Sequence, residues 1–166
     1  MKLFAVNQTE ESDLKIGLIT RFDIKDLSST ETYIRRWSLW LPFGWSLKLH
    51  AIEQADHDRC EHDHPWWFWR FVMSGGYWET VTDAAGRTRE VYRRPGSLSY
   101  CGRAFRHRII ELPKGRAWTL LLCGGRRREW GFFTKSGWVP WRKFVAEARE
   151  RRVSWCEDGY EAKVKS

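Results

Sequence analysis

The chain has 166 residues, of which 42% are hydrophobic and 30% charged, and it carries a formal net charge of +8 with a pI near 9.6. That length is one domain's worth and buries a core without disulfide or metal staples. It holds no apolar run of about 18 residues, which excludes a helical membrane span. The positive charge allows non-specific attraction to nucleic acid or acidic surfaces but does not dictate a fold.

The first thirteen residues, MKLFAVNQTEESD, turn acidic early and lack the apolar centre of a signal peptide, so the cytoplasm is the expected compartment. Residues 14–22 (LKIGLITRF) predict a short strand interrupted by Gly17. Ser28-Ser29-Thr30-Glu31 then has the spacing of a capping box. A short helix through about residue 40 is expected after it, with Tyr33, Ile34, Trp37 and Leu41 at helical spacing and Pro42-Phe43-Gly44 as its stop.

From Trp45 the pattern turns to β. Leu47, Leu49 and Ala51 alternate with Ser46, Lys48 and His50, which predicts a half-buried strand with the leucines inward. A polar loop, EQADHDRCE, leads to His62, and His57 within it is expected to face solvent. An aromatic and apolar run follows from Trp66 to Met73 and breaks at Ser74-Gly75-Gly76, the mark of a buried strand ending in a tight turn. Tyr77–Thr82 and Thr88–Arg93 predict a hairpin, and Arg94-Pro95-Gly96 a turn. Further strands are expected over residues 97–101, 104–112, Ala117–Cys123 and 129–134. Residues 137–140 read as a loop and residues 141–153 as a helix with Phe144, Val145 and Ala148 inward. Short strands with regular Gly and Pro turns predict an antiparallel sandwich or barrel.

The chemistry-bearing stretch is CEHDHPWWFWRFVMSGGYW, residues 60–78. On an extended segment His62 and His64 point to the same face, and two neutral imidazoles aimed at one spot are half of a transition-metal site. A His-x-His pair also arises by chance, and histidines often serve as hydrogen-bonded structural residues, so the pair alone leaves both readings open. Cys60, Cys101, Cys123 and Cys156 are scattered without a CxxC pair, which predicts free thiols. Cys60 with His62 is a zinc-site variant of the same idea.

Three features then fall in order: His62-x-His64, the Pro95-Gly96 turn and His107 on a later strand. Together they resemble the two motifs of the cupin superfamily, small double-sheet β-barrels of jelly-roll type. Within it, HDHPWWFWRFVMSGGYWE and FRHRIIE are similar to the motifs of the cysteine dioxygenase-like branch, and the layout also resembles small bacterial and phage cupins. The resemblance covers about residues 45–135. It implies an all-β cupin double-stranded β-helix with flanking helices: an N-terminal extension over 1–44 whose helix packs on the barrel, the barrel over 45–135, and a C-terminal helix and tail over 136–166. It also implies a metal held by His62, His64 and His107. Phe68 and Trp69 stand where cupins commonly carry a metal-binding Glu, leaving a three-histidine set. Thr119-Leu120-Leu121-Leu122-Cys123 lacks the His and Tyr that cysteine dioxygenases place on a late strand.

Three neutral ligands leave the ion its full charge and open positions, which suits an anionic substrate with O2 if the metal is Fe(II), or hydrolysis if it is Zn(II). Fe(II) is the favoured occupant, with Zn(II), Ni(II) and Mn(II) as the others. Arg70 shares the parity of the two histidines and should face the barrel, either as a clamp for a substrate carboxylate or paired with a buried acid such as Glu79 or Glu111. His50 is a candidate substrate-side group, with simple exposure as its alternative. Strand alternation places Trp67, Trp69 and Phe71 outward, to be covered by one of the helices or by a second subunit in a homodimer. Two function classes follow. One is a metal-dependent oxygenase acting on a small anion. The other is a non-catalytic module whose Arg126-Arg127-Arg128 run and helix residues Arg149, Arg151 and Arg152 engage nucleic acid or a protein.

Overall fold

In the computed structural model, residues 15–16, 18–25, 31–56 and 60–148 are described. Among these described residues twelve strands and one α-helix follow one another: β1 (Lys15–Ile16), β2 (Ile19–Lys25), β3 (Thr32–Trp40), β4 (Ser46–Ile52), β5 (Phe68–Ser74), β6 (Tyr77–Thr82), β7 (Thr88–Arg93), β8 (Leu98–Cys101), β9 (Arg106–Glu111), β10 (Ala117–Cys123), β11 (Gly131–Thr134), β12 (Gly137–Pro140) and α1 (Trp141–Ala148). Seven of them form one antiparallel sheet in the order β1-β2-β3-β4-β10-β5-β8. The facing layer has the order β7-β6-β9, with β11-β12 beside it. The backbone of His62 joins these two pieces, bridging His107 on β9 and Phe132 on β11. Two facing antiparallel sheets of this kind are a jelly roll. Gly75 and Gly76, both at positive φ, make the turn that carries the chain from β5 to β6, a backbone conformation that side-chain-bearing residues rarely adopt.

The expected helix before residue 40 is instead strand β3, paired along its length with β2 and β4. Its sequence, TYIRRWSLW, is rich in aromatic and β-branched residues that suit a pleated surface. Pairing on both sides outweighs a local cap signal, whose residues 28–30 lie outside the described ones. The alternation on β4 also runs opposite to the expectation. Ser46, Lys48 and His50 are buried, whereas Leu47 and Leu49 are only half-buried on the outer face. The interior is polar here, so hydrophobicity no longer reports which face points in. Outward Trp37 lies across from Leu49 and stacks on Trp118 at 5.8 Å.

Residues 137–140 form strand β12 rather than a loop, because they return alongside β11 with Phe132 opposite Val139. Helix α1 forms as expected over its described part, and Phe144 stacks on Phe132 at 4.0 Å; residues 149–153 lie outside the described ones. The cysteine expectation fails at Cys60, which is disulfide-bonded and so is no zinc ligand. Count and spacing do not determine pairing. Cys101 and Cys123 are buried free thiols, and Cys156 lies outside the described residues.

Apolar packing is divided among three clusters around the cavity. One joins both sheets through Ile34, Ile52, Val72, Tyr77, Ile109 and Ala117. Another seats the helix through Phe132, Trp141 and Phe144, and the third lies at Phe68, Cys101, Leu121 and Cys123. The outer face of β5 and β8 keeps Trp69, Phe71 and Tyr100 exposed at 43%, 39% and 56%. Neither β3, which lies within the sheet, nor α1, which packs on β11 and β12, covers them.

Candidate metal centre

His62 precedes the strand it was expected to open, since a bend at Pro65-Trp66 intervenes before β5. Its place is fixed instead by a hydrogen-bonded antiparallel pair with His107: each backbone N–H donates to the other's carbonyl, at 2.9 and 3.1 Å. Directly opposed residues of such a pair project to the same face, and the ring centroids lie 4.8 Å apart. His64 completes the group, with its Nε2 3.0 Å from Nε2 of His107. One donor nitrogen from each of the three lies within 4.8 Å of the others. First-row metals bind imidazole at about 2.0–2.1 Å, which puts two cis ligand nitrogens at roughly 3 Å, so the spacing of His64 and His107 suits a shared ion.

Glu79 orients this group. It is 0% exposed, and its Oε2 accepts from Nδ1 of His107 at 2.7 Å. A carboxylate on one ring nitrogen fixes the tautomer that presents the other as a ligand. Arg70 crosses from the opposite sheet to grip the same carboxylate with both terminal nitrogens, at 2.9 and 2.8 Å, and Arg93 donates at 2.5 Å. Burial alone would raise the pKa of Glu79. The Arg70 guanidinium and His107 outweigh it and hold the acid well below the usual carboxylate range. Burial likewise opposes the charge on Arg70, yet Tyr77 and Glu79 leave its pKa raised. Burial pushes His64 well below its ordinary value, with His62 and His107 adding to the shift, so it is neutral and able to ligate.

Asp63 points away from the other two, as strand parity predicts, and anchors the loop. Its carboxylate accepts from the Gly131 N–H at 2.9 Å, from Trp138 Nε1 at 3.1 Å and from the Arg128 guanidinium. Arg128 also donates to the His64 carbonyl at 3.3 Å. The arginine run thus loses a member to the metal loop, while Arg126 and Arg127 are exposed; Arg149, Arg151, Arg152 and His57 lie outside the described residues.

The three histidines open onto a cavity of about 140 Å³ whose lining includes Arg36, His50, Asp56, Trp66, Phe68 and Arg70. That approaches the volume of an engineered cavity of roughly 150 Å³ that accepts benzene. Arg70 faces inward, as expected, and its guanidinium is engaged by Glu79. His50 is not exposed. It is 8% accessible, and its Nε2 accepts from Arg36 Nε at 2.9 Å. Burial, then Arg36 and Lys48, pull His50 well below its ordinary pKa, so it is a neutral acceptor.

Sequence reasoning missed Glu79 as the orienting acid of His107, and it missed Arg36, Lys48 and Asp56 as interior groups. Only the cross-strand register of β3, β4 and β10 places His50 between Arg36 and Thr119. No family model matches the chain, and no curated protein matches it. Among solved structures it is similar to FeII HppE, at 14% identity and TM-score 0.50 over 62% of this chain and 56% of that one. It is also similar to oxalate decarboxylase from Bacillus subtilis, at 18% identity and TM-score 0.50 over 68% of this chain and 29% of that one. The chain therefore spans about half of the first and under a third of the second. The likeness is one of fold, and that fold is the cupin jelly roll.

Proposed function

We propose that this chain is a metal-binding cupin that acts as an oxygenase on a small anionic molecule, with His62, His64 and His107 holding a divalent transition metal. The observation that carries this reading is the Glu79–His107–His64 line, in which a buried carboxylate fixes Nδ1 of His107 and leaves Nε2 turned toward His64. Three neutral imidazoles leave an ion its full charge and open positions, chemistry that suits an anionic ligand and, with Fe(II), the use of O2. Fe(II) remains favoured over Zn(II), Ni(II) and Mn(II).

The residues around the site have separable tasks. Glu79 keeps the proton on Nδ1 of His107, while Arg70 keeps Glu79 ionised and Arg93 donates a further hydrogen bond to it. Asp63, held by Arg128, Trp138 and the Gly131 N–H, fixes the loop between the two nearer ligands. Phe68 and Phe105 flank His64 and His107 at ring-centroid distances of 4.8 and 5.0 Å, and Phe132 lies 5.6 Å from His62. These rings limit water at the site. The resemblance to cysteine dioxygenase-like motifs supports a thiol or amino-acid-like substrate, although β10 carries neither the His nor the Tyr of that branch.

Elemental analysis of protein purified without a His-tag tests the metal, and O2 uptake by Fe(II)-loaded protein with small thiol acids tests the chemistry. Close to one metal ion per chain and substrate-dependent O2 consumption are expected. Protein that takes up no transition metal would sink the proposal.

A further inference from the structure

The cavity has a charge pattern of its own, apart from the histidines. On the inward face of β3 and β4, Arg36 lies opposite His50 and Ser38 opposite Lys48. Arg36 bonds to neutral His50 through Nε. Among the described residues, no acceptor takes its terminal nitrogens and no carboxylate lies within ion-pairing distance. Lys48, 3% exposed, is in the same position: its ammonium has Ser38 Oγ at 3.4 Å and sits over the rings of Trp40 and Trp66. Arg36 and Trp66 both line the cavity. Interior cations are ordinarily paired, and Arg70, on the same sheet, shows the ordinary arrangement.

The opposite charge also occurs in this cavity. Asp56 is 1% exposed, and its Oδ2 accepts from the Ile109 N–H at 2.9 Å. Its Oδ1 is buried without a hydrogen-bond partner. Ile109 lies two residues along β9 from His107, so this free oxygen belongs to the side of the cavity that carries the histidines. A buried acceptor without a donor is costly to maintain.

We propose that the cavity binds a small monoanionic acid bearing an N–H or O–H donor, with the anionic group on Arg36 and the donor on Asp56 Oδ1. The assignment deepens the reading above by naming the ligand class of the same pocket, and it rests on that reading only for where the reacting atom lies. The planar guanidinium presents its two free NH2 groups to a carboxylate as a fork. Lys48, behind Trp66, adds positive potential without contact. Arg70 is a positioning residue for Glu79 and not the anion's anchor. Asp56 disfavours a second carboxylate on the ligand, because two buried anions would then face each other.

The test uses full-length protein freed of metal, in chloride-free buffer, with calorimetric titration of matched acids. The pairs are acetate with glycine, propionate with 3-aminopropionate and 3-hydroxypropionate, and butyrate with 4-aminobutyrate; succinate and inorganic phosphate complete the set. At least one donor-bearing acid is expected to bind tenfold or more tightly than its plain partner, and succinate and phosphate more weakly than either. Arg36→Gln should lower affinity for every carboxylate at least tenfold. Asp56→Asn should reduce the preference for the donor-bearing acid to under twofold while leaving the plain acid unchanged.

Circular dichroism and thermal melts check that both variants fold; Arg36→Gln removes an unpaired cation and should melt no lower than the parent. Carboxylate affinity unchanged in Arg36→Gln, no saturable binding by the parent chain, or equal binding of phosphate each overturns the proposal. Loss of affinity without any donor preference overturns the role of Asp56. Metal uptake is measured in the same variants and should be unaltered. Absence of metal uptake with carboxylate binding intact would defeat the metal reading alone.

Discussion

Replacing Lys48 with methionine should make the protein more stable. Among the described residues the buried ammonium has no acid beside it, and burial, reinforced by the charge of Arg36, lowers its pKa from 10.5 to about 8. At roughly 1.4 kcal/mol per pH unit, that difference corresponds to about 3 kcal/mol of destabilisation while Lys48 stays charged. Methionine matches the length of the side chain and removes this cost. It also removes attraction to the Trp40 and Trp66 faces, about 0.5–2 kcal/mol together, and a long contact with Ser38. The net gain is about 1–3 kcal/mol, or roughly 2–10 °C in Tm for a chain of this size. The sign with pH follows from linkage. The folded pKa lies below the unfolded one, so the unfolded state binds more protons between about pH 8 and pH 10.4. The parent's penalty is full below about 8 and disappears as pH rises through that window. Urea and thermal melts of both proteins at pH 7 and pH 10 read this out. The gain should be largest at pH 7 and nearly gone at pH 10. A variant that melts lower at pH 7, or whose gain does not change with pH, refutes the reasoning.

Glu79→Gln leaves Arg70 and Arg93 without their carboxylate, so stability should fall by about 3–5 kcal/mol in urea unfolding. Its metal affinity, measured by competition with a chelator, should drop about 10–100-fold. Replacing His62, His64 and His107 together with alanine should abolish stoichiometric metal and the rise in Tm that added metal gives the parent; unchanged metal content places the ion elsewhere. His50 titrates below its ordinary value, so the unfolded state takes up the proton first as pH falls below about 6.5. Stability should decline from there downward, and His50→Gln, which keeps an acceptor for Arg36, should show a shallower decline in melts between pH 7 and pH 5.

Much of the fold was legible because turns and strands announce themselves locally. Gly75-Gly76, the 77–93 hairpin, the strand around His107 and the start of α1 lie where the sequence pattern puts them. The parity from His62 through Phe68, Arg70 and Val72 also holds, since inner and outer residues differ sharply along β5. The misses have distinct physical causes. Strand β3 owes its conformation to pairing with β2 on one side and β4 on the other, which no cap signal within residues 28–31 reveals. The inward face of β4 reads as polar because the cavity is polar, so a rule that sends leucine inward selects the wrong face. The role of Glu79 was accessible only in outline: an acid partner for Arg70 was expected, but its bond to His107 depends on β6 and β9 pairing across the second sheet.

The split of apolar packing into three peripheral clusters leaves the centre of the molecule unusually open to sequence change. The side chains at Arg36, Lys48, His50 and Thr119 contribute little to holding the sheets together, and some of them weaken the structure. A chain drifting under selection for durability alone would exchange these residues for leucine and valine, closing the hollow and gaining stability. Their presence marks the wall where stability yields to function. The same wall can be recoded for a different small molecule while the clusters at its margin keep the scaffold folded.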